Sequence, residues 1–329
     1  MKMDTYVFGC RSGIQKAIRR GHLDLAKVSF DALWKDKKQR SWLKWRVRTL
    51  VAEEAWQMMG ELAELLSTKG VGEPEWRQFL YSLTLSVKSK DGAGLWHMAD
   101  LVANGKRQDL QILEEVKVAA KWLHRAGDDP KSVADEILEE LLAYREMSPY
   151  EQAAMVEYNK RLKMGGMVGD QYCCIPCMVL VAVRGIDLDT VKKGVAQGMK
   201  RWKGLCGDRK PQDVLLPWYI FDFHTRHGKM ALRVFMKQKA EDFGFEKVAD
   251  FKKFWFFMES GFVPAGLKNQ VKIEDVPNAT CIHALWYDEW ISHALEDMGM
   301  SYEQAWKRWR ESGVREELKS IIKWAVEKT

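Results

Sequence analysis

Asp222, His224 and His227 lie within six residues of one another, inside the stretch Leu216–Phe235, which reads LPWYIFDFHTRHGKMALRVF. A carboxylate beside two imidazoles is the raw material of acid–base chemistry, and no other segment gathers so much of it. Trp218 and Tyr219 precede the group, and Arg226, Lys229 and Arg233 follow it. A helix opened at Pro217 or Trp218 would set Asp222, Thr225 and Arg226 on one face, with His224 and His227 on a neighbouring stripe. Gly228 would leave backbone room for an approaching group. The same spacing suits a structural Asp222–Arg226 pair across one turn with the aromatics in the core. Both readings stand at this point.

What must position these residues is bounded by composition. The chain has 329 residues, enough for one large or two ordinary domains, and 47% of them are apolar, enough for a substantial core. The longest apolar run, Ile175–Val183, is shorter than the ~20 residues that span a bilayer, and no signal-peptide core opens the sequence, so no membrane is expected and the cytoplasm is. Six cysteines are unevenly spaced, and Cys174-Ile-Pro-Cys177 lacks the second ligand pair of a zinc site, so buried thiols are expected and neither metal nor cofactor is. Lys163–Asp170 is glycine-dense but has no preceding strand to make it a phosphate loop.

The balance of 52 Lys and Arg against 46 Asp and Glu gives a mild net charge of +6, which permits a nucleic-acid partner without requiring one. Fifteen tryptophans, many flanked by cations as in Arg201-Trp202-Lys203, can stack on bases or fill a core while their neighbours reach water.

Helical periodicity runs through nearly the whole chain, so the expected class is all-α, as one body or as two lobes over residues 1–128 and 129–329, the second carrying the candidate site. Ser12 is expected to cap a basic helix that Gly21 stops; Leu23–Trp34 follows, and a polar loop over Lys35–Arg40 leads to a helix over Trp42–Leu66. Gly70-Val-Gly72 and Asp91-Gly-Ala-Gly94 read as turns. Asp129-Pro130 and Ser148-Pro149-Tyr150-Glu151 read as helix starts, as does Ser301-Tyr-Glu-Gln304. Ile175–Val183 fits a buried helix or a short strand. A core helix is expected at Phe251–Phe257, an extended loop over 261–278, and helices over 281–298 and 301–328.

Ser12-Gly-Ile-Gln-Lys-Ala-Ile-Arg-Arg-Gly, then Ala26…Ala32-Leu33, then Trp45-Arg46-Val47-Arg48…Glu53-Glu54, is similar to the helical collar region of clamp-loader-like AAA+ proteins of the RarA/MgsA type. No G-x-x-x-x-G-K-[ST] is present, so the resemblance implies association with DNA metabolism and not ATP hydrolysis. It implies a DNA-contact face of Lys16, Arg19, Arg20, Arg46 and Arg48.

Ile220-Phe-Asp-Phe-His-Thr-Arg226 resembles the hydrophobic-Asp-x-His-x-x-Arg signature of helix-hairpin-helix DNA glycosylases. That resemblance implies base flipping and removal in DNA repair, with Asp222 as the carboxylate facing positive charge at the sugar and His224 or His227 orienting it or gripping phosphate. Trp218, Tyr219, Arg226, Lys229 and Arg233 would then hold single-stranded DNA or a duplex with a flipped base. Three functions follow from these readings: a glycosylase-like hydrolase, a noncatalytic DNA-associated assembly module, or a helical protein–protein adaptor in which the tryptophans are core.

Overall fold

The computed structural model of the protein describes residues 3–88, 91–127, 129–164, 173–206, 216–259, 295 and 298–328, in which there are fifteen α-helices and no strand. The all-α class is therefore the observed one. These residues gather into two compact units: one draws on Met1–Arg40, Leu205–Pro277 and Asp288–Thr329, the other on Ser41–Gly204. Each takes chain from both sides of residue 128.

The first unit begins with an antiparallel pair. Helix α1 (Met3–Arg20) presents Cys10, Ile14, Ala17 and Ile18, and α2 (Leu23–Trp34) presents Leu25, Ala26, Phe30 and Leu33, all buried. Gly21, at φ 69°, ends α1 where the sequence predicts. The start differs, because Ser12 lies mid-helix and its hydroxyl accepts from the Lys16 ammonium at 3.1 Å. The extra turns of α1 are held by Gly9, whose missing side chain admits the Phe221 ring; a Cβ there would lie 3.1 Å from it.

Helix α3 (Lys37–Glu54) starts earlier than expected because the Asp36 carboxylate accepts the Gln39 N–H at 2.9 Å, an N-cap that shortens the polar loop. The helix expected over 42–66 is interrupted: a 3₁₀ turn at Trp56–Met58 separates α3 from α4 (Met59–Ser67). The hydroxyls of Tyr158 and Tyr150 donate to the carbonyls of Trp56 and Gln57 at 2.7 and 3.1 Å, replacing bonds a continuous helix would make to itself.

The second unit continues with α5 (Glu73–Leu85), α6 (Asp91–Ala103), α7 (Glu114–Ala126), α8 (Ala134–Leu142), α9 (Pro149–Lys163), α10 (Cys174–Arg184) and α11 (Leu188–Cys206). The run at Ile175–Val183 is a buried helix. Asp91-Gly-Ala-Gly94 is not a turn but the first turn of α6. A Cβ on Gly92 would lie 2.6 Å from the Ala52 carbonyl and 2.8 Å from Cys177 Sγ, so that glycine serves close packing. Asp129-Pro130 does not start a helix; it sits in the turn ahead of α8. Cys173, Cys174 and Cys177 are buried free thiols.

The chain then returns to the first unit with α12 (Arg226–Gln238), α13 (Val248–Glu259), α14 (Tyr302–Glu311) and α15 (Val314–Glu327). Gly313, at φ 86°, splits the single helix expected over 301–328 into α14 and α15. Residues 165–172 and 261–278, with most of 281–298, lie outside the described residues, and the readings placed there go with them. Among the described residues no helix is long and apolar enough to cross a membrane.

Candidate functional site

Pro217 does not open a helix through Asp222. Trp218–Ile220 forms a 3₁₀ turn, the chain then bends, and α12 begins only at Arg226. Thr225 is its N-cap: the hydroxyl accepts the Gly228 N–H at 3.0 Å and donates to the Asp222 carbonyl at 2.7 Å. The first turn of α12 presses on that bend, since a Cβ on Gly228 would lie 1.7 Å from the Asp222 carbonyl oxygen. Only glycine fits there.

The bend decides the carboxylate's partners. Asp222 does not pair with Arg226, as one helical face would have required. Its Oδ2 accepts from Lys16 Nζ, while Oδ1 accepts the His224 N–H at 3.0 Å and lies 3.5 Å from the His224 imidazole. Asp222 is 15% exposed and Lys16 2%. Burial pushes the Asp222 carboxyl up, but the Lys16 charge and the His224 bond outweigh it and hold it well below the usual carboxylate range. Burial lowers the Lys16 ammonium to about 8, with Asp222 opposing the shift. Both fall because the enclosed ammonium loses more hydration than one carboxylate returns, while several donors converge on the carboxylate.

The two histidines separate. His224 is 63% exposed, with its ring 4.1 Å from that of Phe223. His227 is buried, edge-on to Phe221 at 5.3 Å; burial, then the Arg226 charge, lowers its pKa, which disfavours the cationic form that gripping a phosphate would need.

The collar-like cations do not form one exposed face. Lys16 is sealed against Asp222, which removes it as a DNA contact. Arg19 is half-buried. Arg20 lies 3.9 Å over the Tyr219 ring and 3.2 Å from the Glu259 carboxylate. Arg46 and Arg48 belong to the other unit, where they pair with Glu53 at 3.8 Å and Glu157 at 2.8 Å. Trp218 lies under Arg315 at 5.3 Å, and the Tyr219 hydroxyl meets His22 Nδ1 at 2.9 Å, so both aromatics are half-buried in local networks. The buried Glu259 ties several of these elements together: Oε1 accepts from Trp309 Nε1 at 2.9 Å and from Arg315 Nε at 2.7 Å.

Helix α12 is different. Its inner face is His227, Gly228, Ala231, Leu232 and Phe235, all buried, with Phe235 stacked on Phe251 at 4.1 Å. Its outer face carries Arg226, Lys229, Arg233 and Lys237, all exposed and one per turn. None of the four pairs with a carboxylate among the described residues. Between α12 and α13 lies a cleft of about 270 Å³, floored by Phe223, Leu232, Met236 and Val248 and edged by Lys229, Arg233 and Lys252.

Phe223 was among the aromatics the sequence placed around Asp222, but Lys237, Lys252, Leu232, Met236 and Val248 were not singled out. Lys237 continues the spacing of 226, 229 and 233, a signal available in the chain; Lys252 joins the group only because α13 folds beside α12. Among the described residues no three His, Cys, Asp or Glu side chains converge to hold a metal ion. No family model, curated protein or solved structure matches this chain.

Proposed function

We propose that the protein is a DNA-binding helical module that meets phosphates with the outer face of α12. The observation that carries this reading is the row Arg226, Lys229, Arg233 and Lys237, exposed and without carboxylate partners among the described residues. Cations left uncompensated at every turn cost stability through mutual repulsion, and a polyanion relieves that cost while its counterions are released. The adaptor reading gives such a row no use.

Base removal is the second reading, favoured by one feature: Asp222 is held ionised next to an exposed imidazole. Against it stand the Lys16 ammonium on one carboxylate oxygen and the His224 N–H on the other, which leave Asp222 better suited to bracing the bend than to meeting a sugar.

Fluorescence anisotropy with labelled DNA over a salt series tests the binding reading. The protein should bind at low salt, and replacing Arg226, Lys229 and Arg233 by glutamine should reduce the slope of log K against log salt by about 2–3. Absence of binding at low salt, or a slope the triple variant leaves unchanged, overturns it. For base removal the readout is alkali-labile sites in DNA carrying modified bases; formation of such sites by wild type and not by a folded Asp222→Asn, Lys16→Met double variant would establish it, and their absence would dismiss it.

A further inference from the structure

The cleft between α12 and α13 has two characters. Its floor is apolar, with Leu232 buried and Val248 47% exposed, and its edge carries Lys229, Arg233 and Lys252 with no carboxylate among the lining residues. A fitting ligand therefore has an apolar body and several negative charges. At the cleft's end Phe223 is half-buried, braced edge-on by Trp255 at 5.8 Å, with its ring centre 4.1 Å from that of the exposed His224 and tilted 37° to it. Planar groups thus lead from solvent toward the cleft floor.

Resting on the DNA-binding reading, we infer that this cleft seats an unstacked base of single-stranded DNA, with the flanking phosphates on the cation row of α12. In a duplex the flat faces of the bases are covered by their neighbours and only the edges show, so an apolar floor has nothing to meet; in a single strand each base offers a face. The length of the row separates this ligand from an anionic lipid or a fatty acid. Arg226 to Lys237 spans about 16 Å along the helix at the usual rise, so the cations continue past both ends of the cleft. One headgroup uses one or two of them, whereas a strand presents a charge at every nucleotide.

The test uses the full chain and three probes: a labelled oligothymidylate of about 20 nucleotides, a duplex of the same length, and vesicles containing anionic phospholipid. The single strand should bind about tenfold more tightly than the duplex. Phe223→Ala should weaken single-strand binding about tenfold with the salt slope unchanged, because stacking and not charge is lost. Phe223 packs on Trp255, so a second variant guards against loss of fold. Val248→Asp places a carboxylate in the cleft at the first position of α13, where an acidic residue suits the helix, and it should weaken the single strand more than the duplex.

Equal affinity for strand and duplex, or wild-type affinity in a folded Phe223→Ala or Val248→Asp protein, overturns the base-seating inference. If the α12 substitutions still reduce the salt slope in that case, the DNA-binding reading survives. Vesicle binding that Val248→Asp abolishes, with DNA bound by neither protein, overturns both.

Discussion

Asp222 is the residue on which most of the candidate chemistry converges, and its role follows from what surrounds it. Lys16 is enclosed and its ammonium faces the carboxylate, so removing that carboxylate's charge strands a buried cation. Asp222→Asn should therefore destabilise the protein by about 3–5 kcal/mol in urea unfolding. Lys16→Met in the same chain should recover much of that loss, because it removes the stranded charge. The pair also sets an acid dependence. The folded Asp222 carboxyl lies below its unfolded value of about 3.9, so its contribution is present in full above that pH. As pH falls through that value the unfolded chain takes up protons that the folded one refuses, and stability declines. Wild type should lose stability between pH 5 and 3 more steeply than the Asp222→Asn, Lys16→Met double variant.

At the scale of elements, the α9 start shows the same logic. Ser148 Oγ accepts the Glu151 N–H at 3.3 Å, and Glu151 answers by accepting the Ser148 N–H at 2.9 Å. Burial pushes the Glu151 carboxyl up, but bonds from Arg145, from the Ile186 N–H and from Ser148 bring it down to about 2. Ser148→Ala should cost about 1 kcal/mol at neutral pH. With Glu151 raised toward its ordinary value of about 4.3, the variant should also lose less of its stability than wild type between pH 4 and 2, as read by acid titration of helix content. This cap was legible in the sequence because a Ser, a Pro and a Glu at fixed offsets state it locally. So was α2, whose bounds agree with the reading, and the stop at Gly21. The break at Trp56 was not legible, since it depends on tyrosines about a hundred positions away. Gly92 misled for a related reason: glycine read locally means a turn, whereas here it permits contact with Ala52 and Cys177. The bend at Asp222 hid the candidate site most. The expected helical face paired Asp222 with Arg226, and nothing near residue 222 announces a lysine in α1. Lys229 and Arg233 could be read as an exposed cationic side of α12, but the cleft beside them required α13.

At the scale of the whole molecule, the two units differ in how the chain supplies them. The unit that carries α12 takes its described residues from both sides of residues 41–204, which belong to the other unit. Its closing contacts are Gly9 with Phe221, Lys16 with Asp222 and Arg20 with Glu259, so these three residues of α1 meet partners more than 200 positions downstream. In a chain ending at residue 204, α1 and α2 should lose most amide protection against hydrogen exchange while α6, α7, α9 and α10 keep theirs. Equal protection in all of them would show that α1 and α2 need no such closure. Loop closure of this length costs only a little more free energy than a short one, so the arrangement is affordable at equilibrium. Its consequence is one of timing. At a translation rate of about 5–20 residues per second, Lys16 waits roughly 10–40 s on the ribosome before Asp222 is made. Through that interval a basic helical hairpin is available to whatever binds nascent chains, while the segment that will neutralise its lysine has yet to be synthesised.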